Sequence, residues 1–254
     1  MRRLLSIFAL AGMLGQASAQ TTSGQGAPEN TGANANIVRW ARGEILYQTL
    51  ADKRHRGQEQ WQLFVHPDQT RTLITHNDIY ARNAVMTAVI RVQADFYPIE
   101  SYASYWNDGR FKGGGVFRVH DGILTADITG PTGQFQQTIA VDKARLSLLV
   151  HPLAPDGWHG GSYDKAKGGA QTIPMINIDA ISTWDRPVLG SRLDQTWELK
   201  GTEQVTVPAG TFAAEHYRAN DFDVWVTGPD RILVKYVWSA VDREYLLTRF
   251  ETGP

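Results

Sequence analysis

Residues 150–161 read VHPLAPDGWHGG, which places two imidazoles, a carboxylate and an indole in one short segment. A neutral imidazole titrates near neutral pH, so His151 or His159 can take or give a proton there, with Asp156 in reach to orient one of them. His151 and His159 bracket a Gly/Pro-rich turn, so their side chains can converge. Gly157, Gly160 and Gly161 would relax the backbone around Trp158 and His159, while Pro152 and Pro155 restrict the chain after His151. His151 and His159 are therefore candidate acid–base groups at the mouth of whatever scaffold carries them, with Trp158 as a binding surface. The plain alternative is a surface loop with solvated histidines. A metal site would need a third ligand from His76, His120 or Asp156, and no spacing selects one, so none is expected.

Further polar and aromatic residues gather between Leu73 and His159. In ESYASYW, alternation sets Tyr102, Ser104 and Trp106 on one face and Tyr105 on the other. Tyr102 is the third candidate catalytic group, and His76, Trp106 and Arg118 join Trp158 as candidate substrate-binding residues. Arg91 falls opposite the apolar face of its strand, which places it in solvent. Arg118 shares a parity with Val116 and Lys112, which leaves its side open.

Several chemistries are excluded. The chain has 254 residues and no cysteine, which removes a disulfide framework, a zinc–thiolate site and a thiol nucleophile. It carries no G-x-S-x-G elbow, no P-loop and no H-E-x-x-H helix, and no cofactor is expected. The net charge is −1 with no basic block, so nucleic acid is not an expected partner.

The positioning elements are strands. WQLFVH sets Trp61, Leu63 and Val65 against Gln62, Phe64 and His66, and VMTAVIRVQADFYP sets Met86, Ala88, Ile90, Val92, Ala94 and Phe96 against Thr87, Arg91 and Asp95. Turns recur at NDGR, His120–Gly122, Gly130–Gly133, Lys200–Gly201, Pro208–Gly210 and Gly228–Asp230. Residues 112–115 read KGGG inside a strand pattern, which predicts a bend or a close backbone approach. The one stretch readable as helix, Ile37–Leu50, is interrupted by Gly43, and SYDKAKGGAQTIP reads as a polar excursion. Many short, evenly spaced strands predict an all-β fold, an antiparallel barrel or strongly curved half-barrel with little helix.

VTVPAGTFAAEHYR followed by DVWVTGPDRILVKYVW resembles the bacterial periplasmic family catalogued as domain of unknown function 3108, over roughly Trp197–Phe250. The resemblance implies an exported β-rich barrel or half-barrel, lipocalin-like or LolA-like in outline, and implies no activity.

Residues 1–19 have a basic Arg2–Arg3 head, an apolar run from Leu4 to Leu14 and an Ala17-Ser18-Ala19 end, the pattern of a cleaved export signal. That run is too short to span a bilayer, and no later segment is long enough, so no transmembrane segment is expected. Cleavage after Ala19 would leave 23 basic against 26 acidic residues and place the chain in the periplasm. Residues 20–36 read as a flexible leader and 37–254 as one domain; the oligomeric state is not legible.

Two functions fit. One is a cofactor-independent lyase or isomerase using His and Tyr as acid and base on a small hydrophobic or aromatic molecule. The other is a barrel that binds or carries a lipid-like ligand, or serves envelope assembly, without catalysis. Under the first, losing an acid–base histidine lowers turnover roughly 100- to 10,000-fold, while a surface position changes stability by about 0.5 kcal/mol or less.

Overall fold

The computed structural model describes residues 36–178 and 187–254; the proposed export signal and most of the leader lie outside the described residues. The strands are β1 (Arg39–Gln48), β2 (His55–Val65), β3 (Arg71–Ile79), β4 (Ala84–Val92), β5 (Pro98–Asn107), β6 (Arg110–His120), β7 (Ile123–Gly130) and β8 (Gly133–Ala140). They continue with β9 (Ser147–Leu149), β10 (Gln171–Ile178), β11 (Gly190–Val207), β12 (Gly210–Ala219), β13 (Phe222–Thr227), β14 (Ile232–Trp238) and β15 (Arg243–Gly253). All fifteen form one curved sheet in the order 8-7-6-5-4-3-2-1-15-14-13-12-11-10-9. Pairing is antiparallel except between β9 and β10. The fold is all-β with short 3-10 turns, as the alternation predicts.

Alternation explains which face turns inward. Ala41, Ile45 and Tyr47 on β1, Trp61, Leu63 and Val65 on β2, and Met86, Ala88, Ile90 and Val92 on β4 are all buried, while the residues alternating with them, such as Arg42, Gln62 and Arg91, turn outward; β4 ends at Val92, so Ala94 and Phe96 do not extend its inner face. The Ile37–Leu50 stretch is therefore strand rather than helix. Its period-2 burial wins because Gly43 lies directly opposite Trp61, and a side chain at 43 would strike that indole. The polar excursion shrinks to a loop that ends where β10 begins at Gln171.

The sheet is not closed by a backbone ladder, since β8 and β9 are its edges. A side-chain clasp stands near the gap. The Gln137 amide of β8 donates to the Gly190 carbonyl and accepts from the Gly190 N–H, both at 2.8 Å, as a strand neighbour would. Arg192 adds a bond to the Ala140 carbonyl at 2.8 Å.

The interior is filled by the segment leaving β9. Residues Ala154–Ser162 form a 3-10 turn, and every residue from Ala154 to Gly160 is buried. The expected loop at the mouth is instead an internal plug. Glu59, fully buried on β2, holds its start: the carboxylate accepts from the Leu153 N–H at 2.6 Å, the Ala154 N–H at 2.9 Å, the Tyr47 hydroxyl and the Thr75 hydroxyl. Burial pushes this carboxyl above the usual range, and the four donors work against that push. Asp230 and Arg231 hold the middle. The Trp158 indole donates to the Asp230 carbonyl at 2.9 Å, and Arg231 Nε to the Gly157 carbonyl at 2.8 Å. The Asp230 carboxylate in turn takes Arg39 at 2.6 and 2.7 Å and Arg71 at 2.9 Å.

Replacing Glu59 by Gln keeps the volume but turns an NH2 group toward donors. Glu59→Gln is expected to lose about 2 to 4 kcal/mol of stability, read by urea denaturation. Burial opposes ionisation of Asp230, yet the hydrogen bonds from Arg39 and Arg71 outweigh it and hold the carboxyl below its ordinary range. Its contribution is thus present above the unfolded value and lost as pH falls through the folded one. Asp230→Asn should melt below the wild type at pH 7, with the gap closing in acid below about pH 4; a gap independent of pH would refute the pairing.

Candidate functional site

A cavity of about 540 Å³ remains between the plug and one end of the sheet. Tyr47, Met86, Phe222, Tyr236, Trp238 and Tyr245 form its apolar and aromatic wall. Rings pack on one another there: Phe222 stacks on Tyr236 at 4.8 Å, and Tyr245 meets Tyr47 and Tyr236 edge-on at 4.7 and 5.4 Å. The plug contributes His151, Leu153 and Asp156. Arg56, Arg82 and Arg243 supply the basic lining.

The phenols of the wall are held protonated. Burial raises Tyr47 well above its ordinary value, and the Glu59 charge raises it further. Burial raises Tyr236 in the same way, with Asp156 adding to it. Tyr245 is raised by burial against the opposing pull of Arg56 and Arg243. None of these three suits a general base at neutral pH, whose value should lie near the working pH.

The seven residues singled out in the sequence divide between the two faces. His151, Trp158 and His159 lie inside. His151 lines the cavity and turns the chain out of β9 in the left-handed region, φ +72°. Trp158 is buried, packed near Phe96 with ring centroids 6.0 Å apart, and does not line the cavity. His76, Tyr102, Trp106 and Arg118 lie outside, on β3, β5 and β6. Tyr102 and Trp106 are 46 % and 44 % exposed. His76 bonds Thr87 at 2.9 Å beside a shallow outer hollow of about 390 Å³. Arg118 pairs with Asp127 at 3.3 Å in solvent. The aromatic partner that reaches inward from β5 is Tyr105, which donates to the Val150 carbonyl at 2.9 Å. The candidate site residues do not converge, because the sheet separates His76, Tyr102, Trp106 and Arg118 from Trp158, His151 and His159.

His159 is only 2 % exposed, so it is not a solvated loop histidine. Its Nδ1 lies 2.8 Å from Ser147 Oγ and its Nε2 3.0 Å from Asp156 Oδ1. A neutral ring satisfies both when Nε2 donates to the carboxylate and Nδ1 accepts from the hydroxyl. Serine, histidine and aspartate thus stand in the hydrogen-bonded order of a hydrolytic triad. Ser147 is buried on β9 and is not among the cavity residues, so its hydroxyl faces no substrate there. Only Asp156 connects this row to the cavity. The glycines of the segment also serve packing. A Cβ on Gly157 would collide with the Arg231 carbonyl, and one on Gly160 would lie 2.7 Å from Arg231 and 2.8 Å from Trp197.

No family model matches the chain, and no curated protein matches it. Three solved structures are similar in outline. A DUF1089 family protein from Pseudomonas aeruginosa shares 11 % identity over 70 % of this chain and 89 % of its own, with a TM-score of 0.41. A candidate lipoprotein from Parabacteroides distasonis shares 12 % over 83 % and 94 %, TM-score 0.32. A candidate exported protein with a YmcC-like fold from Bacteroides fragilis shares 9 % over 83 % and 95 %, TM-score 0.30. No helix of the described residues is long and apolar enough to cross a membrane.

The burial of His159 reverses the expected cost of losing it. His159→Ala strips partners from Ser147 and Asp156 and opens a void against Trp197. It should lower stability by about 2 to 4 kcal/mol in thermal or urea unfolding. A change within about 0.5 kcal/mol would mean the imidazole is not packed as described.

Proposed function

We propose that the protein is an exported, periplasmic binding protein that holds a small hydrophobic molecule in its inner cavity and performs no chemistry on it. The observation that carries this reading is the aromatic wall around a cavity of about 540 Å³, whose buried phenols Tyr47 and Tyr236 are raised above their ordinary range by burial. Sites for small molecules are concave and mostly apolar, with a few polar groups that fix orientation. The wall of Tyr47, Phe222, Tyr236, Trp238 and Tyr245 fits that description. The imidazole with the best hydrogen-bonded partners, His159, is sealed behind the cavity. Export rests on the basic head and Ala17-Ser18-Ala19 end of residues 1–19.

One observation favours the acid–base alternative, the lyase or isomerase. His151 lines the same cavity as Asp156 and sits at a left-handed backbone angle, a conformation that clusters at functional sites. The two readings separate in one experiment. The neutral dye N-phenyl-1-naphthylamine is titrated into the protein while emission is followed. Binding predicts saturable, blue-shifted emission with a dissociation constant on the order of micromolar. Leu149→Trp, which narrows the cavity from β9, should weaken it at least several-fold. His151→Ala should leave dye affinity within about two-fold. Absence of saturable emission overturns the binding reading, and turnover of any bound compound that His151→Ala abolishes establishes the enzyme.

A further inference from the structure

Three basic side chains from separate turns meet at the cavity. Arg56 is the second residue of β2, Arg82 ends the turn after β3, and Arg243 begins β15. Arg56 is buried, at 7 % exposure, which is unusual for an arginine without a carboxylate partner. Its position is set by a β-bulge. Tyr47 pairs with Gly57 and Gln48 with His55, so Arg56 is the extra residue and its side chain turns inward.

Among the described residues none of the three guanidiniums forms an ion pair. The carboxylates nearby are engaged elsewhere. Asp156 binds His159, Asp221 accepts from the Trp238 indole at 2.7 Å, and Glu244 takes Lys53 and Gln48, each at 2.6 Å. Arg243 donates to the Asp242 carbonyl at 3.0 Å. Like charges crowd one another in the cluster: burial lowers the Arg56 value and the Arg243 and Arg82 charges lower it further, against Tyr245, whose hydroxyl hydrogen-bonds Arg56 and raises it. Concentrated, partly desolvated positive charge of this kind calls for an anion, and guanidinium forks match oxyanions in shape.

We propose that Arg56, Arg82 and Arg243 bind the acidic head, a carboxylate or phosphate oxyanion, of an amphiphile whose apolar body lies on the aromatic wall. This rests on the binding reading above and adds to it a charge requirement. The cavity then has two ends, one for the anion among the arginines and one for the chain or ring system against Phe222, Tyr236 and Trp238.

The test is displacement of bound N-phenyl-1-naphthylamine by three amphiphiles of one chain length: dodecanol, dodecanoate and dodecyl phosphate. Either acid should displace the dye at about ten- to a hundred-fold lower concentration than the alcohol, the yield of one or two charge-assisted hydrogen bonds. The order of the two acids tells a carboxylate site from a phosphate site. Arg56→Gln should remove most of the advantage of the acids while moving dodecanol less than two-fold. Arg82→Gln and Arg243→Gln, at less buried positions, should each remove part of it and keep the test open if Arg56→Gln does not fold. Arg91→Gln on the outer face should change nothing. Equal displacement by alcohol and acids, with the dye bound, overturns the anion site and leaves the cavity reading intact. Absence of saturable dye binding overturns the binding reading and the anion site with it.

Discussion

The Glu59 carboxylate is the constraint on which the interior depends. A buried charge without partners is costly, and this one is surrounded by four donors from three places: β1, β3 and the two successive amides of Leu153 and Ala154. Those amides begin a 3-10 turn, where the first N–H groups have no partner within the turn. One carboxylate thereby satisfies the sheet and the incoming segment together. Without it the plug has no fixed entry, and the space it occupies is no longer divided into packed core and cavity.

That division decides what the polar residues of the interior do. Trp158 and His159 belong to packing, tied to Asp230, Asp156 and Ser147. His151 and Asp156 stand at the boundary with the cavity. The row Ser147–His159–Asp156 shows how little hydrogen-bond order alone says about catalysis. The distances suit proton transfer, yet the hydroxyl that would attack is enclosed by core. Access, not geometry, separates this row from a nucleophilic site.

Much of the fold was legible in the residues because strands with one buried face announce themselves by alternation. Trp61, Leu63 and Val65, or Met86, Ala88 and Ile90, leave no other reading. Alternation also placed Tyr105 opposite Tyr102 and Trp106, and put Arg91 outside. What it does not reveal is a change of parity. Lys112 and Arg118 have the same parity, so a regular strand would put them on one face. A bulge between β5 and β6 makes Lys112 the extra residue, and it is buried while Arg118 is exposed. The same device at Arg56 turns inward a side chain that strict alternation from Trp61 would send to solvent. Bulges depend on the register of the partner strand, which a single sequence does not display. The histidine segment misled for a related reason. Glycine and proline mark a turn equally well whether it faces water or core, and the glycines here serve close contact with Arg231 and Trp197 rather than backbone freedom.

The order of strands carries a consequence for how the chain is made. β1 through β8 and β10 through β15 are two meanders in which each strand pairs with its sequence neighbour. Such hairpins can form as soon as both strands exist. The ladder between β1 and β15, in which Trp40 faces Gly253, is different, because it cannot form until the last strand is present. During synthesis, β1 therefore waits with one edge unpaired, carrying Ile45 and Tyr47 toward an unfinished core. An open edge beside apolar side chains is a template for another chain. The period of greatest hazard for this protein lies before its final residues emerge, and a chaperone that shields the β1 edge in that interval would act on the one contact that the rest of the sheet cannot supply early.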